Sequence, residues 1–156
     1  MNIPLIDLKR QMKALEKELT PKVLEVLYDT SYIMGKNVLS FEKEFAAYIG
    51  AEHAVSVANG TEGLVLALKA LGIGQGDEVI TTPFTFFATA ESIAQVGAVP
   101  VFVDVKIDSF NMDPAKIEEK ITDRTKAILP VHIFGTCADM DSPTRSEERR
   151  VGKECR

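Results

Sequence analysis

At 156 residues, with 46% hydrophobic and 26% charged content, the chain has the size and composition of one globular domain with a real core. Its net charge of −5 is unevenly placed: five basic residues and three acids follow residue 141, leaving −7 on residues 1–141, a body too acidic to have nucleic acid as its main partner. The opening "MNIPLIDLKRQ" is no signal peptide, no run nears the ~20 apolar residues of a membrane span, and neither Cys137 and Cys155 nor His53 and His132 have metal-site spacing, so the expectation is a cytoplasmic protein with reduced thiols, no metal and no membrane partner.

Residues 8–28 read as helical, with Leu8, Met12, Leu15 and Leu19 at helical spacing. Thr20-Pro21 sits within this stretch as an N-cap and first-turn proline would, so a second helix can start there. "SYIMGKNVLS" is an irregular link. Ser40 then caps "FEKEFAAYIG", whose Phe41, Phe45, Tyr48 and Ile49 share one face before Gly50 ends it.

A regular alternation follows. "HAVSV" (residues 53–57) reads as a short buried strand, then come the loop "ANG" and the helix "TEGLVLALKALGI". "DEVITT" is a second strand and "FATAESIAQV" a helix ending at Gly97. "VPVFVDV" is a third strand, Asp113-Pro114 opens the helix "PAKIEEKI", and "KAILPVHIF" is the fourth strand. "GTCADMD" leads toward a further helix with Asp139 or Asp141 as its cap. Apolar, Val/Ile-rich strands separated by helices predict an α/β fold, a mostly parallel sheet with helices on both faces.

In such a sheet ligands gather at the carboxyl ends of the strands. Three loops lie there: "ANGTEG", "PFTFF" and "HIFGTCADMD". The first runs straight into a helix near Thr61, so free N–H groups and the positive end of the helix dipole suit a phosphate. Gly60 allows close approach and the Thr61 hydroxyl adds a donor. The plainer alternative, that Asn59-Gly60 is only a turn and Thr61 only a cap, stays open. Gly72, Gly74 and Gly76 follow a helix and precede a strand, the reverse of the dinucleotide fingerprint, and read as a helix stop and turn. One of Phe84, Phe86 and Phe87 can stack on a flat ligand while at least one other packs in the core. His132 reads as a core or loop histidine rather than a base, and Arg124 and Lys126 as solvated.

At "IPLIDLKRQ", "ANGTEGL", "GIGQGDEVITTPFTFFATAE", "GAVPVFVDV" and "DRTKAILPVHIFGTCADMD", in uninterrupted order, the sequence resembles the DegT/DnrJ/EryC1/StrS family. The resemblance implies a pyridoxal 5′-phosphate-dependent nucleotide-sugar aminotransferase of fold type I, the aspartate aminotransferase-like class. It implies a homodimer moving an amino group from an amino acid, commonly glutamate, to a keto group of a nucleotide-linked sugar, for surface polysaccharides or glycosides. By the resemblance Gly60, Thr61 and Glu62 form the turn that binds the cofactor phosphate, and Phe86 stacks on its pyridine ring. It also implies that strand 53–57 lies at one end of a seven-stranded sheet, separated from the next three strands by others this chain lacks. A pyridoxal-phosphate-dependent sugar dehydratase or related synthase shares the scaffold, and a non-catalytic phosphate-binding fragment is a reading from another class.

The tail "SPTRSEERRVGKECR" does not match that resemblance and reads as a non-native, disordered addition from about residue 142, after an N-terminal part of the cofactor-binding large domain at 1–141. None of the twelve lysines is expected just after a strand at the carboxyl-end site. The resemblance implies that the Schiff-base lysine belongs to a later segment absent here, so no catalytic residue is assigned and the chain as written is expected to be inactive.

Overall fold

The computed structural model describes residues 6–140. The chain divides into two compact units, Met1–Ser56 and Val57–Arg156. The predicted tail from residue 142, and Asp141 as a helix cap, lie outside the described residues.

In the first unit, α1 (Leu8–Tyr28) is one continuous helix with Pro21 inside it, so no second helix starts at Thr20. Asp7 caps it by accepting the Arg10 N–H at 3.0 Å. Proline removes one hydrogen bond of the helical ladder, yet the leucine pattern continues on both sides of Pro21 and the helix spans it. The second helix, α2 (Lys36–Ile49), begins four residues before the predicted cap. Ser40 is interior to it, its hydroxyl donating to Glu44 Oε1 at 2.5 Å. Lys36 draws the start back: its Nζ meets Glu25 on α1 at 2.5 Å and Asp29, the residue that caps α1, at 3.2 Å. Gly50 closes α2 at φ +72°, a left-handed position that suits glycine.

Residues 53–57 form no strand. Val55 is 79% exposed, and the Ser56 N–H goes to a side chain, Glu42 Oε1 at 2.7 Å. The expectation of a buried strand is corrected. An apolar segment becomes a strand only when another strand accepts its backbone hydrogen bonds, and no described segment pairs with it.

The second unit holds a three-stranded parallel sheet of order β2-β1-β3, with β1 at Glu78–Thr81, β2 at Val99–Phe102 and β3 at Thr125–Ile128. Val79 pairs with Pro100 on one side and Ala127 on the other, and all four residues of the central β1 are buried. Alternation along the strands separates two cores. On one face Val79 joins Leu68, Ile73, Ile93 and Ala98, which come from α3 (Gly60–Ala70), α4 (Ala88–Gln95) and the turns that follow them. On the other face Ile80 joins Val103, Met112 and Ile117. The parallel α/β class read from the sequence is what forms, with β1, α4 and β2 making one βαβ unit.

Several elements are shorter than predicted, among them the third strand "VPVFVDV", which ends at Phe102. "PAKIEEKI" forms two 3-10 turns, Pro114–Lys116 and Glu118–Lys120, rather than an α-helix. Asp113 caps the first through the Ala115 N–H, but only Ile117 is buried, too small an apolar face to hold a full helix. The fourth predicted strand stops at Ile128 because Pro130 has no N–H to continue the ladder, and Ile133–Gly135 forms a 3-10 turn. No helix follows through residue 140.

The amino edge of the sheet is stitched across all three strands. The Glu78 N–H reaches the Arg124 carbonyl at 2.8 Å, and the Val99 N–H reaches Asp77 at 2.8 Å. Gly97, at φ +86°, lies so close to Gln75 that a Cβ there would stand 3.0 Å from Gln75 Oε1.

Candidate functional site

The chain path directs the N-termini of α3 and α4 toward the carboxyl ends of the strands. α3 feeds the amino end of β1 through residues 71–77, and its 11 residues reach back about 16 Å from there. α4 starts after β1 has ended, beside α3.

Asn59, extended at φ −165°, is the cap of α3: its Oδ1 accepts the Glu62 N–H at 3.0 Å and its carbonyl accepts the Gly63 N–H at 3.1 Å. The Gly60 and Thr61 N–H groups have no protein acceptor among the described residues. Gly60 has no atom within 4 Å of where a Cβ would stand, so its backbone can be approached closely. Gly60, Thr61 and Glu62 thus share one turn, but they are not equivalent as donors. Gly60 and Thr61 offer free amides, whereas the Glu62 amide is already held. Thr61 is not the cap. Asn59, which is, went unassigned, although an Asn three residues before an acid in a first turn is a cap signature.

The loop after β1 is tightly tied. Thr82 Oγ1 accepts the Phe84 N–H at 3.2 Å, the Thr85 and Thr89 hydroxyls lie 2.9 Å apart, and the Phe86 carbonyl accepts the Thr89 N–H at 3.1 Å. The three rings part company here. Phe84 packs against Phe110 (centroids 5.4 Å apart) and edge-on to Phe134 (6.3 Å), while Phe86 is 79% exposed and Phe87 is exposed as well.

The loop after β3 brings His132 and Phe134 to the same end. His132 Nδ1 accepts the Ala138 N–H at 2.9 Å, so this loop histidine serves its own loop. Cys137 is a free, exposed thiol. Contrary to the expectation for the lysines, Lys106 stands in the turn that follows β2, where its N–H donates to the Asn111 carbonyl at 2.9 Å.

At the opposite edge Arg124 is not simply solvated. Its Nε donates to the buried Glu78 carboxylate at 2.9 Å, with a second bond from Nη2, and the Thr122 hydroxyl donates at 2.6 Å. Thr122 and Arg124 hold the Glu78 carboxyl below its usual value of 4.5. This is a structural clamp on the amino edge, away from the candidate site.

Free helix-start amides and an exposed aromatic ring, both on the carboxyl side of a parallel sheet, define an α/β domain suited to a ligand that carries a phosphate and a flat ring. Residues 13–149 match the DegT/DnrJ/EryC1/StrS aminotransferase family, and the chain belongs to it. It is 48% identical over 142 residues to a pleiotropic regulatory protein of Geobacillus stearothermophilus, covering 91% of this chain and 38% of that protein. It is 45% identical over 140 residues to the UDP-2-acetamido-2-deoxy-3-oxo-D-glucuronate aminotransferase of Pseudomonas aeruginosa, covering 90% of this chain and 39% of the enzyme. NtdA of Bacillus subtilis, solved with bound cofactor PMP, superposes with a TM-score of 0.90 at 33% identity over 97% of this chain and 35% of NtdA. The chain therefore spans less than two-fifths of the length of each of these relatives. Its fold is part of the large domain of the fold-type-I transferases, as expected. No helix among the described residues is long and apolar enough to cross a membrane.

Proposed function

We propose that this chain is the cofactor-phosphate-binding part of a pyridoxal 5′-phosphate-dependent aminotransferase. The whole protein moves an amino group from an amino acid, with glutamate the proposed donor, to a keto group of a nucleotide-linked sugar. It acts as a cytoplasmic homodimer in polysaccharide or glycoside biosynthesis. The observation that carries this reading is the pair of unpartnered amides at Gly60 and Thr61 at the start of α3. A phosphate there accepts two backbone N–H bonds and the Thr61 hydroxyl, and the helix dipole favours its charge. Glu62 contributes its amide only if Asn59 Oδ1 releases it. Phe86, exposed beyond β1, covers one face of the pyridine ring. When bound, the cofactor supplies the electron sink for amino transfer, while these residues fix where its phosphate and ring lie.

Titration of the 156-residue chain with pyridoxal 5′-phosphate and with pyridoxal tests the reading. The phosphorylated ligand should bind at least about tenfold more tightly, and Thr61→Val should remove about tenfold of that affinity, as expected for a lost bond to a charged group. Equal binding of the two ligands would overturn the phosphate assignment.

A further inference from the structure

Asn111 is only 4% exposed, yet its amide makes three hydrogen bonds, all to a loop more than 20 residues away. Nδ2 donates to the Thr136 and Cys137 carbonyls at 3.1 Å each, and Oδ1 accepts the Ile133 N–H at 3.2 Å. Its own carbonyl accepts the Lys106 N–H at 2.9 Å. One buried side chain therefore fixes the backbone of the loop after β3 to that of the loop after β2. Such an amide is costly to bury unless its partners stay in place, which makes the junction rigid.

The junction holds two unusual residues. Phe110 has φ +58° and Phe134 φ +53°, in the left-handed region that bulky side chains rarely adopt. A turn alone would be met with less strain by glycine or asparagine. What these two phenylalanines share is a contact: both rings touch Phe84. Phe84 begins the tied loop that carries Phe86, whose ring makes no aromatic contact among the described residues. Backbone strain kept where surrounding bonds over-determine it is characteristic of pre-organised sites.

We propose that Asn111 is a positioning residue for the carboxyl-end site. Through Phe110 and Phe134 it clamps Phe84, and the clamp sets the direction in which Phe86 presents its face to a planar ring. What Phe86 then stacks on rests on the cofactor reading above; the clamp itself does not.

The chain contains no tryptophan, so Phe86→Trp creates a single fluorescent reporter on the clamped loop. Its anisotropy without ligand should report a held indole. Adding Asn111→Ala, or Phe134→Ala at an exposed position, should free that indole and lower the anisotropy toward the value in urea, with far-UV circular dichroism unchanged. Asn111→Asp keeps the shape but turns two donors into acceptors facing two carbonyls, and it should loosen the indole as alanine does. A role in packing alone would instead let aspartate restore the wild-type anisotropy, overturning the proposal. Should Asn111→Ala fail to fold, Phe134→Ala carries the same test: an indole that stays held overturns the clamp. In the Phe86-containing chain, Asn111→Ala or Phe134→Ala should weaken pyridoxal 5′-phosphate about threefold to tenfold, the worth of a mis-set aromatic contact. A loosened indole with unchanged ligand affinity upholds the clamp and removes Phe86 from the cofactor reading.

Discussion

Asn59 Oδ1 and the Glu62 N–H lie 3.0 Å apart, so the side chain that starts α3 occupies one of the amides an incoming phosphate would seek. The helix start is complete before any ligand arrives. A bound anion then uses Gly60 and Thr61, or competes with Asn59 for the third donor. Asn59→Ala should lower the unfolding free energy by about 1 kcal/mol, and Asn59→Gly by a few tenths, as for other N-caps. Urea denaturation separates the two. The same alanine substitution frees the Glu62 amide, so affinity for inorganic phosphate should hold or rise even as stability falls.

Glu78 sets an acid limit on the second unit. Its carboxyl is held below 4.5 in the folded state by Thr122 and Arg124, against the effect of burial. A depressed carboxylate contributes stability that is present above the unfolded value and lost as pH falls through the folded one. Melting temperature should therefore drop on acidification once the pH falls below the ordinary carboxyl value of 4.5. Glu78→Gln should melt lower at neutral pH and lose much of that dependence, so that the two curves converge in acid. Parallel curves would show that the clamp contributes nothing.

No single lysine is expected to form a stoichiometric adduct with pyridoxal 5′-phosphate. In chain order Lys106 is a lysine close to the carboxyl-end site, in the turn beyond β2. Borohydride reduction followed by peptide mapping should find no lysine modified above background, Lys106 included. Turnover with glutamate and a nucleotide keto-sugar should likewise be nil. Stoichiometric reduction at one lysine, together with turnover, would show that the site has been misread.

Exposed apolar residues in the first unit predict self-association. Leu8, Met12, Leu15 and Leu19 on α1 are each exposed by more than two-fifths, and Val55 lies in a segment without strand pairing. Sedimentation velocity should show association that grows with concentration and weakens when Leu15 and Leu19 are changed to lysine. A monodisperse, cooperatively melting monomer at all concentrations would count against it.

Local patterns carried much of the fold. The β-branched "EVIT" between a glycine turn and a proline, and the αL glycines at 50 and 97, could be read without knowing what they touch. The failures lie where a distant partner decides. Lys36 starts α2 early because Glu25 on α1 and Asp29 at its end accept its ammonium. Residues 53–57 have strand composition but no described strand beside them. In the candidate site, the turn at Gly60 and Thr61 was legible because strand-like segment, small turn and helix follow in sequence. Periodicity could not choose among Phe84, Phe86 and Phe87, since the choice depends on Phe110 and Phe134. Asn111 was invisible for the same reason: its three side-chain partners lie 22 to 26 residues downstream.

The stitching of the amino edge sets where sequence change can accumulate. A side chain at Gly97 would be strained at φ +86° and crowded by Gln75, and Glu78 ties β1 to the approach to β3, so drift on that edge carries an immediate penalty in stability. At the other edge, Phe86, Phe87 and Phe134 stand largely in solvent on loops whose backbones are anchored from behind. Those side chains can be exchanged without disturbing the strands beneath them. A lineage of such domains can therefore vary its carboxyl-end loops while inheriting the same sheet, because the sheet's integrity is invested at the opposite edge.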